Sequence, residues 1–159
     1  MFKPDEQGVY ASVGASKARR IFGLFALYTL GALVLLMVAR QPPVPVLAVA
    51  MLILGAGAIW AGERLRRATK NRLVLLATEL RTSDGLLVAS IDNIEKVERG
   101  AFAFKPSNGF TLVLKERSSR IWQPGLWWRS GRRVGVGGVV PSGEAKFMAE
   151  VISTWIAQR

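Results

Sequence analysis

Two uncharged apolar runs stand almost back to back near the start of the chain. Residues 21–39 read IFGLFALYTLGALVLLMVA, and a second uncharged run covers residues 41–62, with its apolar body at 44–61. Roughly 20 apolar residues, each rising ~1.5 Å, cross a hydrocarbon layer of ~30 Å. Both runs meet that length, so the pattern predicts two transmembrane helices, at 21–39 and 43–62, with a turn at 40–43. The link Arg40-Gln41-Pro42-Pro43 is so short that the helices must be adjacent and antiparallel. Proline cannot continue the first helix but is tolerated at the start of the next, so the pair marks the turn. A secretory signal would have a shorter apolar core and a small-residue cleavage site, not a second run of equal length.

Charge predicts the orientation. Lys17, Arg19 and Arg20 precede the first run, Arg64, Arg66, Arg67, Lys70 and Arg72 follow the second, and the turn carries only Arg40. The positive-inside rule then puts both termini in the cytoplasm, for a multi-pass protein of the cell inner membrane with the chain before the first run as a cytoplasmic tail, 1–20. Trp60 falls at the headgroup level of its helix, whereas Tyr28 lies too deep to anchor there. Neither run contains an ionisable residue, and ion or proton pathways need them, so a transporter is disfavoured. Gly55, Ala56, Gly57, Ala58, Ala61 and Gly62 line the second helix with small residues; this side, with Gly57 and Ala61 four apart, is expected to pack against the first helix, the alternative being a dimer face. In the basic junction, 63–71 and its neighbour Arg72, the residues Arg64, Arg66, Arg67, Lys70 and Arg72 are expected to meet anionic lipid, each worth about 1 kcal/mol.

The chain has 159 residues, a formal net charge of +11, and neither cysteine nor histidine. Those two absences remove disulfides, Cys/His zinc sites and every nucleophile–His or Cys–His pair. The acidic residues are scattered singly, so no catalytic residue, metal site or cofactor is expected and the chain is read as not an enzyme. From Leu73 onward basic residues only mildly outnumber acidic ones, and no basic helix is available for a groove, so nucleic acid is not an expected partner.

After the junction the periodicity shortens. Residues 73–77, 79–82 and 86–89 are β-compatible, with Ser83-Asp84-Gly85 as a turn between the last two. A turn at Asp92-Asn93 leads into a strand through Val97; residues 110–114, Ile121-Trp122 and 133–140 supply further strands, and one more is expected only if residues 99–104 pair. From Ser142, read as the N-cap, Phe147, Met148, Val151, Ile152, Trp155 and Ile156 recur at spacings of three and four. That is an amphipathic helix that must cover the strands, with Glu144 in its first turn where the helix dipole favours negative charge.

The predicted fold class is therefore a membrane α-helical hairpin plus an α+β soluble domain at 72–159, resembling a PH-like antiparallel β-barrel or sandwich closed by a C-terminal amphipathic helix. Hairpin, basic junction, the strand-rich stretch with Leu86 and Ile94, and the terminal helix from Ser142 together resemble the bacterial PH-domain membrane proteins, in which a two-helix hairpin precedes a PH-like domain. The resemblance is architectural, and it implies lipid or protein association in the cytoplasm.

The segment RIWQPGLWWRSGRRVGVGG concentrates tryptophan and arginine. Trp127, Trp128, Arg129, Arg132 and Arg133 are the candidate lipid- or partner-binding residues, because guanidinium forks match phosphate and tryptophan suits a headgroup interface. The competing reading has the tryptophans filling the domain and the arginines on its rim. In a strand, one of Trp127 and Trp128 would point in and the other out. Gly135-Val136-Gly137-Gly138 lacks the Gly-Lys-Ser/Thr ending of a Walker loop and is read as a strand bend. The expected function is a non-enzymatic, membrane-anchored binding or scaffolding module for a protein partner or an anionic lipid headgroup. The alternative is a small accessory subunit that packs through its hairpin into a membrane complex.

Overall fold

The computed structural model describes residues 2–99 and 106–158. The chain divides into two compact units: Lys17–Arg67 forms one, and the residues up to Ser16 join those from Ala68 onward in the other.

The first unit is a helical pair, α1 (Lys17–Arg40) and α2 (Pro45–Ala68), each long and apolar enough to cross a membrane. Both helices run past the apolar runs into the flanking basic residues, so α2 absorbs most of the junction expected at 63–71. The pair is held by close backbone approach. A Cβ on Gly31 would lie 2.6 Å from Ile59 Cγ1 and 2.9 Å from the Gly55 carbonyl oxygen; one on Gly55 would lie 2.8 Å from Leu35. Gly62 faces the Tyr28 ring, and the Tyr28 hydroxyl donates to Glu63 at 3.3 Å. Gly57 has open space around it, so the contact runs through Gly31, Gly55 and Gly62 and the expected Gly57 contact is not made. Apolar side chains such as Phe22 (74% exposed) and Val46 (84%) face outward.

The second unit is α+β. Among the described residues it contains seven strands, β1 (Ala11–Gly14), β2 (Arg72–Leu75), β3 (Glu79–Thr82), β4 (Leu87–Ser90), β5 (Ile94–Glu98), β6 (Phe110–Gln123) and β7 (Trp127–Val136), a 3-10 turn at Ile91–Asn93, and α3 (Ser142–Ala157). They form two antiparallel sheets, ordered β1-β2-β3-β4 and β5-β6-β7. The Asp92-Asn93 turn and the strand through Val97 follow the sequence expectation.

Three expectations change. The first concerns the N-terminal tail at 1–20: β1 pairs antiparallel with β2 in the register Ala11↔Leu75 to Gly14↔Arg72, so the domain expected at 72–159 begins before α1, and the helical pair is inserted between two paired strands. Val13 alternates inward and is fully buried. Ahead of it, the Asp5 carboxylate accepts from the Gln7 and Val9 amides, Phe2 meets Phe147 edge-on at 5.7 Å, and Tyr10 meets Trp155 at 4.8 Å. The second concerns β6, which is one strand where two short ones were expected. It bulges against β7 between Val113 and Ser118 and again before Ile121, with Gly131 at φ +59° opposite; bulges bend and twist a strand, which is why polar residues interrupt its apolar pattern. Residues 100–104 of the stretch proposed as an extra strand lie outside the described residues, as does Lys105. Third, α3 is preceded by Pro141 with no side-chain cap, so Ser142 is its first residue and not its N-cap.

The core is built from inward positions of both sheets, among them Leu73, Leu75, Leu80, Phe110, Leu112 and Leu114, sealed by Met148, Val151 and Ile152 of α3. The apolar face of α3 divides its work: these three cover strands, while Phe147 and Trp155 receive Phe2 and Tyr10.

Candidate functional site

The structure distributes the five residues expected to bind a headgroup or partner among different tasks. Trp127 is 1% exposed and belongs to the core. Its indole Nε1 has no hydrogen-bond partner among the described residues, so packing alone holds it. Trp128, on the opposite face of β7, is half-buried and pairs across the ladder with Trp122. Its ring lies over Gly135, where an added Cβ would come within 2.3 Å of Nε1; the glycine keeps a seat open for the ring.

Arg129 is 9% exposed, and its guanidinium is engaged by the protein itself. Nε donates to the Ser119 carbonyl at 2.9 Å, Nη1 to the Leu87 and Val88 carbonyls at 3.1 and 2.8 Å, and Nη2 to Ser119 Oγ at 2.9 Å. Among the described residues β4 is the last strand of its sheet and β7 the last of the other, so each has an edge with no strand paired to it there. Arg129 satisfies the β4 edge with a side chain where a further strand would otherwise pair, and so links the two sheets. Its fork is committed to three carbonyl oxygens and the Ser119 hydroxyl, so the expected phosphate contact does not apply to it. Burial lowers its pKa from the usual arginine range.

Arg132 and Arg133 are exposed but paired. Arg132 donates to the Leu114 carbonyl at 2.9 Å and meets Glu95 at 3.2 Å; Arg133 lies 3.8 Å from Glu98. A hydrogen bond from Lys96, aided by the charges of Lys96 and Arg133, holds the Glu98 carboxyl below its ordinary range.

The junction residues also separate. Arg66 and Arg67 both grip Glu63 at 2.7 Å, and the Arg64 guanidinium sits 5.6 Å from the Trp60 ring centre. Arg72 belongs to β2, where it reaches Ser12 Oγ at 3.3 Å and Glu144 at 3.4 Å. Glu144 also accepts from the Gly14 amide at 3.1 Å, tying the first turn of α3 to the strands at both ends of the insertion. Lys70 is exposed and has no ion-pair partner among the described residues.

Beside these groups lies a set outside the five candidates, although Arg120 and Trp122 belong to the same Trp/Arg segment. Leu86, Leu87 and Trp122 are exposed, Trp122 at 48%, and Arg120 is exposed with no ion-pair partner among the described residues. A signal for it is present: Leu86-Leu87 are consecutive in an extended segment, so one must face out.

The second unit also has a groove of about 440 Å³ beside α3, lined by Arg99, Phe110, Ser142, Lys146 and Glu150, with Arg99 and Glu150 3.7 Å apart. Among the described residues no group of His, Cys, Asp or Glu side chains is arranged to hold a metal ion. No family model, curated protein or solved structure gives a significant match to the chain.

Proposed function

We propose that this chain is a two-span integral protein of the cell inner membrane whose α+β domain, PH-like in design, is a non-enzymatic binding module on the cytoplasmic face for a protein partner or an anionic lipid headgroup. The observation that carries the reading is the insertion of α1 and α2 between paired strands: Gly14 and Arg72 sit opposite one another in the ladder. The chain leaves and re-enters the domain at one point, as a two-span hairpin requires. A leader peptide cleaved after α1 would take β1 with it and open the sheet. The outward-facing Phe22, Phe25, Val46 and Ile53 need an apolar surrounding, which a bilayer supplies. Basic residues at both helix ends next to the domain, Lys17, Arg19 and Arg20 and then Arg64, Arg66 and Arg67, favour a cytoplasmic domain. Two antiparallel sheets with a terminal α3 support the PH-like assignment. The absence of Cys and His from the chain supports a binding role over catalysis.

Because the chain has no cysteine, a single Thr78→Cys in the exposed β2–β3 turn gives a clean topology probe. An impermeant maleimide should label it in inverted inner-membrane vesicles and leave it unlabelled in intact cells, and alkaline carbonate should not extract the chain. Extraction by carbonate, or labelling from outside intact cells, would end the proposal. A second reading, an accessory subunit that docks through the hairpin, is favoured by Gly57, whose open face could admit another helix. Removing the domain while keeping α1 and α2 separates the two: only a hairpin-docked subunit would remain in its complex.

A further inference from the structure

Several independent hydrogen bonds show which end of the soluble unit carries its two connections to the hairpin. Gly14 and Arg72 are opposite one another there. The Ser83 amide donates to the Arg72 carbonyl at 2.8 Å, and Asn71 Nδ2 donates to Asp84 at 2.8 Å, so the β3–β4 turn lies at this end. The Ser16 amide donates to the Val139 carbonyl at 2.8 Å, while the Val139 amide donates to the Gly125 carbonyl at 3.0 Å, which brings the β6–β7 turn to the same end. The opposite end is marked by the Ile91 amide donating to Thr78 and the Glu116 amide donating to Asn93 Oδ1.

Leu86 and Leu87 follow the first of these turns, and Arg120 and Trp122 precede the second. Arg129 draws the two segments together by bonding Leu87, Val88 and Ser119 at once. Leu86, Leu87, Arg120 and Trp122 are all exposed on these two segments, with exposed Lys70 on the adjoining connection. Of the acidic groups nearby, Glu144 is paired with Arg72, while Asp84 accepts from the neutral Thr82 and Asn71 and keeps its charge, against which stand the cations Lys70 and Arg120.

We propose that this end of the domain, through Leu86, Leu87, Arg120, Trp122 and Lys70, docks on the anionic surface of the bilayer that holds the hairpin. The proposal rests on the membrane reading above and names the surface that the domain would use. Apolar side chains rimmed by arginine and lysine match a headgroup layer: tryptophan sits at the interface, leucine dips below it, and the cations meet lipid phosphate. The tether makes contact intramolecular, so a weak patch suffices. In this arrangement Trp122 and Arg120 perform the task expected of Trp127, Trp128, Arg129, Arg132 and Arg133, and Arg129 positions them.

Spin labels on the full, cysteine-free chain in nanodiscs test this. Reporters go at Ser83→Cys and Gln123→Cys beside the patch, at Thr78→Cys on the far end, and at Leu36→Cys in α1; each is read by accessibility to a water-soluble nickel relaxant. In discs containing phosphatidylglycerol, the 83 and 123 labels should be shielded relative to the 78 label, and the shielding should be lost in phosphatidylcholine discs. Arg120→Glu should lower the ratio of docked to undocked domain about fivefold or more, the loss expected for one cation at such a surface. Arg120→Glu with Trp122→Gln should abolish shielding, with far-UV circular dichroism confirming the fold; if the double variant misfolds, Arg120→Glu alone decides. Labels at 83 and 123 as accessible as that at 78 in both lipids, or shielding indifferent to both lipid charge and Arg120→Glu, would overturn the proposal. The 36 label keeps the two readings apart: buried in hydrocarbon while 83 and 123 are wet, it leaves the membrane reading standing and the docking surface refuted; wet itself, it refutes the membrane reading.

Discussion

Replacing Arg129 by methionine keeps a side chain of similar length in place while deleting four hydrogen bonds, at 2.8 to 3.1 Å, to Ser119, Leu87 and Val88. Bonds from a charged donor contribute about 1.5–3 kcal/mol each when isolated, but these share one side chain and will not add fully. The bond to Val88 is buried and the other three are partly buried, so water can replace some of the latter. Leaving the Val88 carbonyl dry costs about 1–3 kcal/mol, and the rest contribute a further fraction, for a total of about 3 kcal/mol. In a domain of this size 1 kcal/mol moves Tm by about 4–8 °C, so the variant should melt roughly 12–24 °C lower. Arg129→Lys, with one nitrogen where three were used, should fall between methionine and the parent. Near-UV circular dichroism of the full chain in detergent reads the effect directly, because neighbouring Trp127 and Trp128 report on packing around the clamp. A methionine variant melting within about 4 °C of the parent, a loss of no more than about 1 kcal/mol, would refute the idea that this side chain joins the sheets.

Gly31→Val should loosen the helical pair by about 1–3 kcal/mol, since a Cβ there meets the Gly55 carbonyl and Ile59, whereas Gly57→Val should be neutral; unfolding in mixed micelles compares them. A fragment starting at Lys70 lacks β1 and uncovers the β2 edge, so it should show dispersed structure by NMR only when residues 2–16 are fused ahead of Ala68 through a short linker, which the Gly14↔Arg72 pairing permits. The Asp84 carboxyl is held below its ordinary range, first by the Thr82 hydroxyl and then by backbone and Asn71 donors. A carboxylate whose pKa falls on folding stabilises above its unfolded value of about 4 and loses that contribution as pH drops through the folded value. Stability should therefore decline below about pH 4, and Asp84→Asn should flatten that part of the profile in denaturant titrations.

Features set by short-range regularity are legible in the order of the residues alone. Length and apolarity predict two spanning helices; the two observed are long and apolar enough to cross a membrane, extend into the basic flanks, and the second begins at Pro45 and not at residue 43. Three- and four-residue spacing identifies α3, because a helix places its apolar face by local geometry alone. Ser83-Asp84-Gly85 marks its turn through Gly85, which sits at φ +89°. Adjacency also implies that one of Trp127 and Trp128 is buried, since neighbours on a strand face opposite ways.

What depends on contacts between distant segments is not readable in this way. The four residues of β1 carry too weak a pattern to predict a strand; they are one because β2, more than fifty residues later, offers a free edge and Val13 finds a core position. Small residues along α2 all look alike in sequence, and the partners Leu35 and Tyr28 decide that Gly55 and Gly62, and not Gly57, form the contact. Arginine in a Trp/Arg run has the same chemistry whether it meets a phosphate or a carbonyl. Arg129 meets carbonyls because β7 passes the bare edge of β4, while Arg120, nine residues earlier on β6, remains exposed. Local free energies determine the elements of this protein; the unsatisfied edges and faces those elements leave over, matched across long separations, decide which residues hold it together and which stay exposed.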